Sequence, residues 1–450
     1  MSTSHDENEA VAARIAALVS KGDLSAAGAV VAGLHPSDLA DVVEELTEAD
    51  QVELLSALPA GVASETLAEM EHGEDRGELL AALAVEKGAE LIEELADDDA
   101  ADLIGELDPP EQKRILDALP GATAEELIDL LRYDEHTAGG LMTTEVVAVE
   151  GSRSAREALE QVRSQGREVE KFYTVFVIDR ERKLLGTVGL DHLVIADPDS
   201  SVDALIEAPV ATVQPEVDQE EVGRLIRRYN LASIPVIGPD NVLLGRITFD
   251  DVIDVIEAEQ TEDILRLVGV TDEYEIRHTW KESVRTRLPW LALNLVTAAL
   301  AASVILVFED VMDQVLTLAF LAPIIAAMGG SSGTQSLAIT IRRITIEGTG
   351  SARGFVMKEI LIGLVNGAVL GLGIALLAFA LRGDAMLGLV VLLAMWGNQV
   401  VAGFAGAFVP ATLDRMGVDP SIASSVFVHT LTDLCGFFLL LGLASKLLLD

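Results

Sequence analysis

His429 and Asp433 stand four residues apart in HTLTDLCGFF (429–438), inside an apolar run that closes the chain. At that spacing an imidazole and a carboxylate share one face of a helix, where they can bind a cation or handle a proton. The aspartate is the costlier of the two. An ionised Asp near the middle of a bilayer costs on the order of 3 kcal/mol even on lenient insertion scales, so it needs a partner or a water-filled path. Two readings of Asp433 stand side by side: a protonated acid hydrogen-bonded to Thr or Asn across helices, or a carboxylate on a cation route. No basic residue in the other spans lies deep enough to be its ion-pair partner. His429 also has two readings, an interhelical hydrogen bond or a nitrogen ligand suited to Zn2+, Co2+ or Ni2+.

Five apolar stretches, 286–308, 314–341, 354–381, 385–413 and 421–449, position these groups, and each is long enough to cross ~30 Å of hydrocarbon. The second contains MGGSSGTQS (328–336), too polar and Gly-rich for a plain lipid-facing helix; a loosened backbone facing protein or water is expected there. Asn294, Asn366, Asn398 and Gln399 place amides in other spans. Arg285 and Arg287 precede the first span, Arg342, Arg343, Arg353 and Lys358 join the second to the third, and Arg415 joins the fourth to the fifth. The positive-inside rule then puts the N-terminal part in the cytoplasm and the C-terminus outside, in keeping with a start that does not read as a cleaved signal peptide.

The first 285 residues hold 63 of the 73 acidic residues but only 23 of the 31 basic ones. That excess argues against nucleic acid as a partner, since phosphate binding needs a basic face. Scarce Lys and abundant Ala, Asp and Glu fit adaptation to concentrated salt, which screens self-repulsion; some of the carboxylates can bind cations as well. The single cysteine, Cys435, excludes a disulfide framework and a CxxC metal site.

Residues 1 to about 135 read as short helices with an internal repeat: 35–59 align without gaps on 96–120 at an offset of 61, pairing Asp38 with Asp99, Asp41 with Asp102, Leu46 with Leu107 and Pro59 with Pro120. Stacked helical pairs in a small solenoid are expected. From about 140 to 260 strands alternate with helices. FYTVFVID and KLLGTVGLDHLV (172–179, 183–194) are followed about 60 residues later by ASIPVIG and LLGRITFDDVIDVI (232–238, 243–256), which looks like a pair of cystathionine-β-synthase-type (CBS) modules. In this grammar Gly is expected to permit a tight strand turn, and Asp191 and Asp250 to cap the helices that follow. Residues 251–280 continue as an acidic amphipathic helix leading to the membrane.

LLRYDEHTAGGLMTTEVVAV (130–149), DDVIDVIEAEQTEDI (250–264), PIIAAMGGSSGTQS (323–336) and GVDPSIASSVFVHTLTDLCG (417–436), in this order, resemble the MgtE family of magnesium channels over nearly the whole chain. The resemblance implies an all-α superhelical N domain (1–138), an α/β tandem CBS domain (139–258), a connecting plug helix (259–284) and a five-helix pore domain (285–450). It also implies a homodimer of the cytoplasmic membrane with Asp433 of both subunits at the ion-selecting site, and pore-lining positions at Ser331, Ser425, His429 and Asp419. Cytoplasmic Mg2+ would close the pore by bridging Asp98, Asp102, Asp251, Asp254, Glu259, Glu262 and Asp263. Of these, Glu259, Glu262 and Asp263 share a helical face by spacing, and like charges so placed repel until a cation is shared.

Five positions depart from the family pattern: Ser331 and Ser425 stand where amides are common, His429 where a small residue is usual, and Asn230 and His192 where acids are expected. Mg2+ is therefore both the transported and the regulatory ion in the leading reading, with an adenine nucleotide at the CBS pair left open. The alternatives are a broader divalent cation transporter using His429 and a non-conducting membrane CBS sensor. With no P-loop, no Ser/His/Asp arrangement and no soluble His cluster, an enzyme is not expected.

Overall fold

The computed structural model describes residues 2–70, 74–167, 169, 171–270, 280–347, 352–421 and 424–449. They form two compact units, Met1–Ile256 and Glu257–Asp450.

The first unit begins with ten helices: α1 (Ser2–Val19), α2 (Leu24–Val31), α3 (Pro36–Glu44), α4 (Glu48–Ala57), α5 (Ala60–Ala68), α6 (Glu74–Ala82), α7 (Val85–Glu93), α8 (Asp97–Gly105), α9 (Pro109–Ala118) and α10 (Gly121–Leu130). The 61-residue repeat is visible element by element. Shifting α3 and α4 by that offset lands on α8 and α9, and the buried Leu39, Val42, Val43, Leu54 and Leu58 of one copy become the buried Ala100, Leu103, Ile104, Ile115 and Leu119 of the other. One hydrogen bond is repeated too. Gln51 Nε2 donates to the Val43 carbonyl at 2.9 Å, and Gln112 Nε2 donates to the Ile104 carbonyl at 3.2 Å. Each Gln adds a side-chain donor to an end-of-helix carbonyl that already accepts from the backbone just past the helix, from Leu46 in one copy and Leu107 in the other, and so links the two helices of its pair.

The rest of the unit holds β1 (Ala148–Glu150), α11 (Ala155–Gln165), β2 (Thr174–Ile178), β3 (Leu184–Gly189), α12 (Leu190–Ile195), α13 (Gln219–Tyr229), β4 (Ser233–Ile237), β5 (Leu243–Thr248) and the start of α14 (Phe249–Leu267). β2 pairs with β3 and β4 with β5, both antiparallel, and both pairs shift register at the same place, after Val177 and after Val236. The two modules are thus built alike. Gly186 and Gly245 lie inside strands and not at turns: a methyl at Gly186 would come within 2.5 Å of the Glu207 carbonyl, and one at Gly245 within 2.4 Å of the Thr143 carbonyl. These glycines let a neighbouring chain segment bridge the strand edge.

The TAGGLMT segment is the seam between helices and strands. Ala138 and Gly139 donate backbone bonds to Val217 and Pro215, and Thr143 exchanges both of its backbone bonds with Arg246. Asp97, in the first turn of α8, accepts from the Thr143 hydroxyl and from the Thr144 backbone and hydroxyl. Gly139 and Gly140 have no room for a side chain beside Tyr133 and Asp134, so this stretch is constrained by packing as well as by bonds.

The second unit carries the five spans expected from the sequence: α15 (Trp280–Val307), α17 (Thr317–Glu347), α18 (Ala352–Arg382), α19 (Ala385–Arg415) and α20 (Ser424–Leu448), with a short α16 (Glu309–Gln314) between the first two. α19 is the central helix. Gly363, Gly367 and Gly371 of α18 form a small-residue stripe against Gln399, Trp396 and Leu392, the close-approach packing that hydrocarbon favours because apolar burial contributes nothing there. On its other side, Gly406 meets the Gly333 carbonyl and Ser336 of α17. α15 is the outer helix; its described residues leave Leu288, Leu291, Leu295 and Leu300 exposed, as a lipid-facing side would be.

Two expectations change. α17 is helical throughout MGGSSGTQS, with no unwound stretch. Its small residues give room to neighbouring side chains in place of loosening the backbone. α14 begins within the second module and ends at Leu267, near Gly269 in the left-handed region (φ 83°), so the connecting helix does not continue unbroken towards the membrane; residues 271–279 of the expected helix lie outside the described residues.

A methyl at Gly403 of α19 would come within 2.4 Å of the Glu359 carbonyl, whereas one at Gly373 meets nothing within 4 Å. Gly403→Ala is expected to destabilise the membrane unit by about 1–3 kcal/mol through overpacking, and Gly373→Ala to leave it unchanged. Thermal unfolding of the two variants in detergent checks this.

Candidate functional site

α17 and α20 enclose a groove of about 740 Å³ whose lining includes Gly330, Ser331, Thr334, Gln335, His429 and Asp433. The α17 members recur every three or four residues, so one helical face lines the groove. Opposite them, His429 and Asp433 are one turn apart on α20. The sequence pair that opened the question therefore faces a cavity lined by hydroxyls, an amide and small residues, and no Lys or Arg is among its described lining residues. His429 is exposed and Asp433 half-buried. His429 Nδ1 lies 2.8 Å from the Ser425 carbonyl, a helical back-bond that sets the ring's orientation. A methyl at Gly330 would come within 3.0 Å of His429 Cδ2 and 3.3 Å of Nε2, so the glycine leaves the ring space to lie across α17.

The amides expected to be polar features of the spans hold α17 in place. Asn398 Nδ2 donates to the Ile325 carbonyl and Gln399 Nε2 to the Met328 carbonyl, both at 3.0 Å. Asn398 is fully buried, and its amide fits only because Gly329 and Gly436 lack side chains. The amide nitrogens thus find acceptors on the backbone of the groove-lining helix, whereas Asn398 Oδ1 and Gln399 Oε1 are buried with no hydrogen-bond partner among the described residues.

Of the four pore-lining positions expected, the structure brings Ser331 and His429 together with Asp433. Ser425 contributes its carbonyl to His429 and is not among the lining residues; Asp419 sits in the loop between α19 and α20. There Asp419 Oδ1 accepts from the Ser421 backbone at 2.7 Å and hydroxyl at 2.6 Å, while Oδ2 accepts from Arg266 of α14. Arg266 also pairs with Glu262 one turn back.

The carboxylates expected to be regulatory fall into two groups. In the first unit Asp98 and Asp102 both lie within electrostatic reach of Asp251. Burial, then the neighbouring Asp99, Asp251 and Asp97, pushes the Asp98 carboxyl well above the usual carboxylate range; burial also raises Asp251, against a hydrogen bond from Thr248 that opposes the shift. Asp254 is exposed on α14. In the second unit burial, then Asp419 and Glu259, pushes Asp263 up to about 6, with Arg266 acting in the opposite direction. Acids raised by burial and by each other are poised to bind a cation that removes the repulsion.

Other positions resolve more simply. Asp191 lies in the first turn of α12, whose N-cap is Gly189 with no side-chain bond, and Asp250 lies in the first turn of α14. Both act on the helix dipole and not as caps; at α14 the hydroxyl preceding the helix, Thr248, bonds Asp251. Asn230 ends α13 in the left-handed conformation (φ 51°), which Asn tolerates better than an acid with a longer side chain. His192 is half-exposed and faces Glu207 at 3.7 Å.

Three positions that tie elements together were not singled out from the sequence: Asp97, which meets Thr143 and Thr144, Arg266, which pairs with Glu262 and Asp419, and Glu359. Glu359 is in fact 5% exposed and accepts from Ser336 Oγ at 2.9 Å, tying α18 to α17. Its signal was its place five residues inside an apolar stretch, on the same i, i+4 row as Gly363 and Gly367.

The family model for the MgtE intracellular N domain matches residues 34–136, that for the CBS domain matches 138–199 and 202–258, and that described as divalent cation transporter, MgtE, matches 322–443. The chain is 34% identical over 453 residues to the magnesium transporter MgtE of Thermus thermophilus, covering 98% of this chain and 99% of that one. Against the magnesium transporter MgtE of Enterococcus faecalis it is 35% identical over 324 residues, 72% of this chain and 71% of that one. Among solved structures, the cytosolic domain of the Mg2+ channel MgtE in complex with ATP is similar over 54% of this chain and 99% of its own length, with 34% identity and a TM-score of 0.52. With a helical N domain, paired CBS modules and five membrane-spanning helices in family order, the chain belongs to the MgtE family of divalent cation transporters.

Proposed function

We propose that this chain is a magnesium channel that takes up Mg2+ through the groove between α17 and α20, with Asp433 as the ion-selecting carboxylate. The groove itself carries the reading: an intramembrane carboxylate faces hydroxyls, an amide and the His429 imidazole, with no Lys or Arg among the described lining residues. Mg2+ dehydrates reluctantly, so a carboxylate ringed by neutral polar groups attracts the ion with its water shell intact. The relatives named as magnesium transporters support the same ion.

A second copy would complete the site. A groove holding a half-buried Asp cannot face lipid without a heavy electrostatic cost, and two-fold pairing across α17 and α20 would cover it and place two Asp433 carboxylates about one axis. The N-terminal unit lies in the cytoplasm, the C-terminus outside, and the membrane is the cytoplasmic one, on the loop charges given above. The four-part division at 138, 258 and 284 goes with this assignment, as does an adenine nucleotide at the CBS pair, which the solved ATP complex of a related cytosolic domain supports.

Regulation follows from the two acidic groups. Cytoplasmic Mg2+ shared by Asp98, Asp102, Asp251 and Asp254 in one, and by Glu259, Glu262 and Asp263 in the other, favours the assembled, closed form over any form that separates them, and so shifts the population towards closure.

Asp433→Asn should reduce Mg2+ uptake into proteoliposomes to the protein-free background while leaving thermal stability intact; undiminished flux would remove the proposed selectivity site. For gating, the sign comes from Asp263. Its folded value of about 6 lies above the ordinary 3.8, so the cation-free assembly is stabilised by a bound proton at low pH and loses that contribution as pH rises through 6. A proton and Mg2+ relieve the same repulsion, and both favour the assembled form. The internal Mg2+ needed for half-closure should therefore decrease as cytoplasmic pH falls through about 6, and Asp263→Asn should flatten that dependence, as read from flux at fixed external Mg2+.

A further inference from the structure

We propose that His429 and Asp433 form a coordination site for borderline divalent cations, Zn2+, Co2+ and Ni2+, which bind His429 Nε2 directly and stall in the groove. This deepens the Mg2+ reading above and rests on it for the location of the path.

The argument starts from one hydrogen bond. The partner of His429 Nδ1 is the Ser425 carbonyl, 2.8 Å away, an oxygen with no hydrogen to give. Nδ1 must therefore be the protonated nitrogen, and in the neutral ring the lone pair is on Nε2. This is the arrangement that metal-binding histidines adopt, in which the far N–H is fixed by a carbonyl and the near nitrogen is left basic and oriented. Here the carbonyl comes from the histidine's own helix, so the orientation does not depend on a neighbouring element.

Space and a second ligand complete the site. Nε2 lies 3.3 Å from where a methyl on Gly330 would be, so the missing side chain opens the place beside it. Asp433 is one turn further along the same helix and lines the same groove; an i, i+4 pair of ligands is the spacing by which helices hold zinc. Water on Ser331, Thr334 and Gln335 can fill the remaining positions, and no cationic side chain among the described lining residues competes with a metal.

The chemistry separates two classes of ion. Mg2+ prefers oxygen, keeps its waters and gains little from an imidazole. Zn2+, Co2+ and Ni2+ exchange water for nitrogen readily and bind it more tightly. The same residues that Mg2+ passes with its hydration shell would thus capture a borderline metal by inner-shell bonds. His429 is in this sense a specificity-determining residue, and its effect is block.

The test uses the full-length protein. Mg2+ uptake into proteoliposomes is titrated with Zn2+ for the wild type, His429→Ala and His429→Gln, each normalised to its own uninhibited flux. The half-blocking Zn2+ concentration should rise about tenfold or more in both variants. Equal half-blocking concentrations in all three overturn the proposal. In detergent, Co2+ added to the wild type should give a visible absorption band of nitrogen-ligated Co2+ that is lost in His429→Ala and diminished in Gly330→Ala, where the added methyl presses on the ring. A Co2+ spectrum unchanged in both variants means that other histidines hold the metal, and also overturns it. Failure of the transport reading is distinguishable, because a wild type without Mg2+ flux still gives a Co2+ spectrum that decides the site.

Discussion

Asp433 lies in a span of apolar helix, and the free energy of keeping a carboxylate there constrains what its neighbours can be. The face of α17 opposite it must be polar without being charged, which Ser331, Thr334 and Gln335 satisfy. Those side chains point at the groove while other faces of the same helix pack closely on Asn398 and Val428, and this is why Gly329 and Gly333 alternate with them. The position of α17 is then fixed from behind by donors that hydrocarbon obliges to find acceptors: Asn398 and Gln399 on its carbonyls, and Ser336 on Glu359. α19, which supplies both amides, becomes the central helix because it is the one that must approach both α17 and α18 at glycine distance. The order of the bundle is thus a chain of consequences from one ionisable group.

The acids outside the spans obey the opposite logic. Outside the membrane a carboxylate is cheap, and a sequence with 73 acidic residues has many to spare. What distinguishes Asp98, Asp251 and Asp263 is burial in company with other acids. Such clusters lower the stability of the assembly that holds them, and a divalent ion bound among them, as proposed above, would restore it. Arg266 tempers this locally: pairing with both Glu262 and Asp419, it ties the end of α14 to the loop before α20 with a charge the chain carries itself.

Much of the architecture was legible because it is written in periods. The 61-residue repeat, the twice-used strand and helix plan and the five apolar stretches each depend on local patterning, and the helix bounds follow them closely. His429 and Asp433 could be put on one helical face for the same reason, by their spacing and the cost of a carboxylate there, whereas Ser331 came from the family resemblance. What stayed hidden depends on contacts between elements far apart in the chain. Asp97 is identical in type to its neighbours and differs only in meeting Thr143 and Thr144. The glycines of MGGSSGTQS suggest a broken helix when read alone, but Asn398, His429 and Val428 occupy the space they leave. Gly186 and Gly245 suggested turns because the segments that bridge at them are distant in sequence.

The repeated bond of Gln51 and Gln112 shows that the two halves of the N-terminal helices are copies down to a single donor and acceptor. The copies nonetheless have different surroundings. Asp38 and Asp41 of the first are exposed, whereas Asp99 and Asp102 of the second are half-buried, and Asp102 acts on Asp251. Where the second copy has Asp98, the first has Ser37. The repeat thus presents two acidic ledges of one design in two settings: one lies exposed, and the other, set beside the strand modules, shares its field with Asp251.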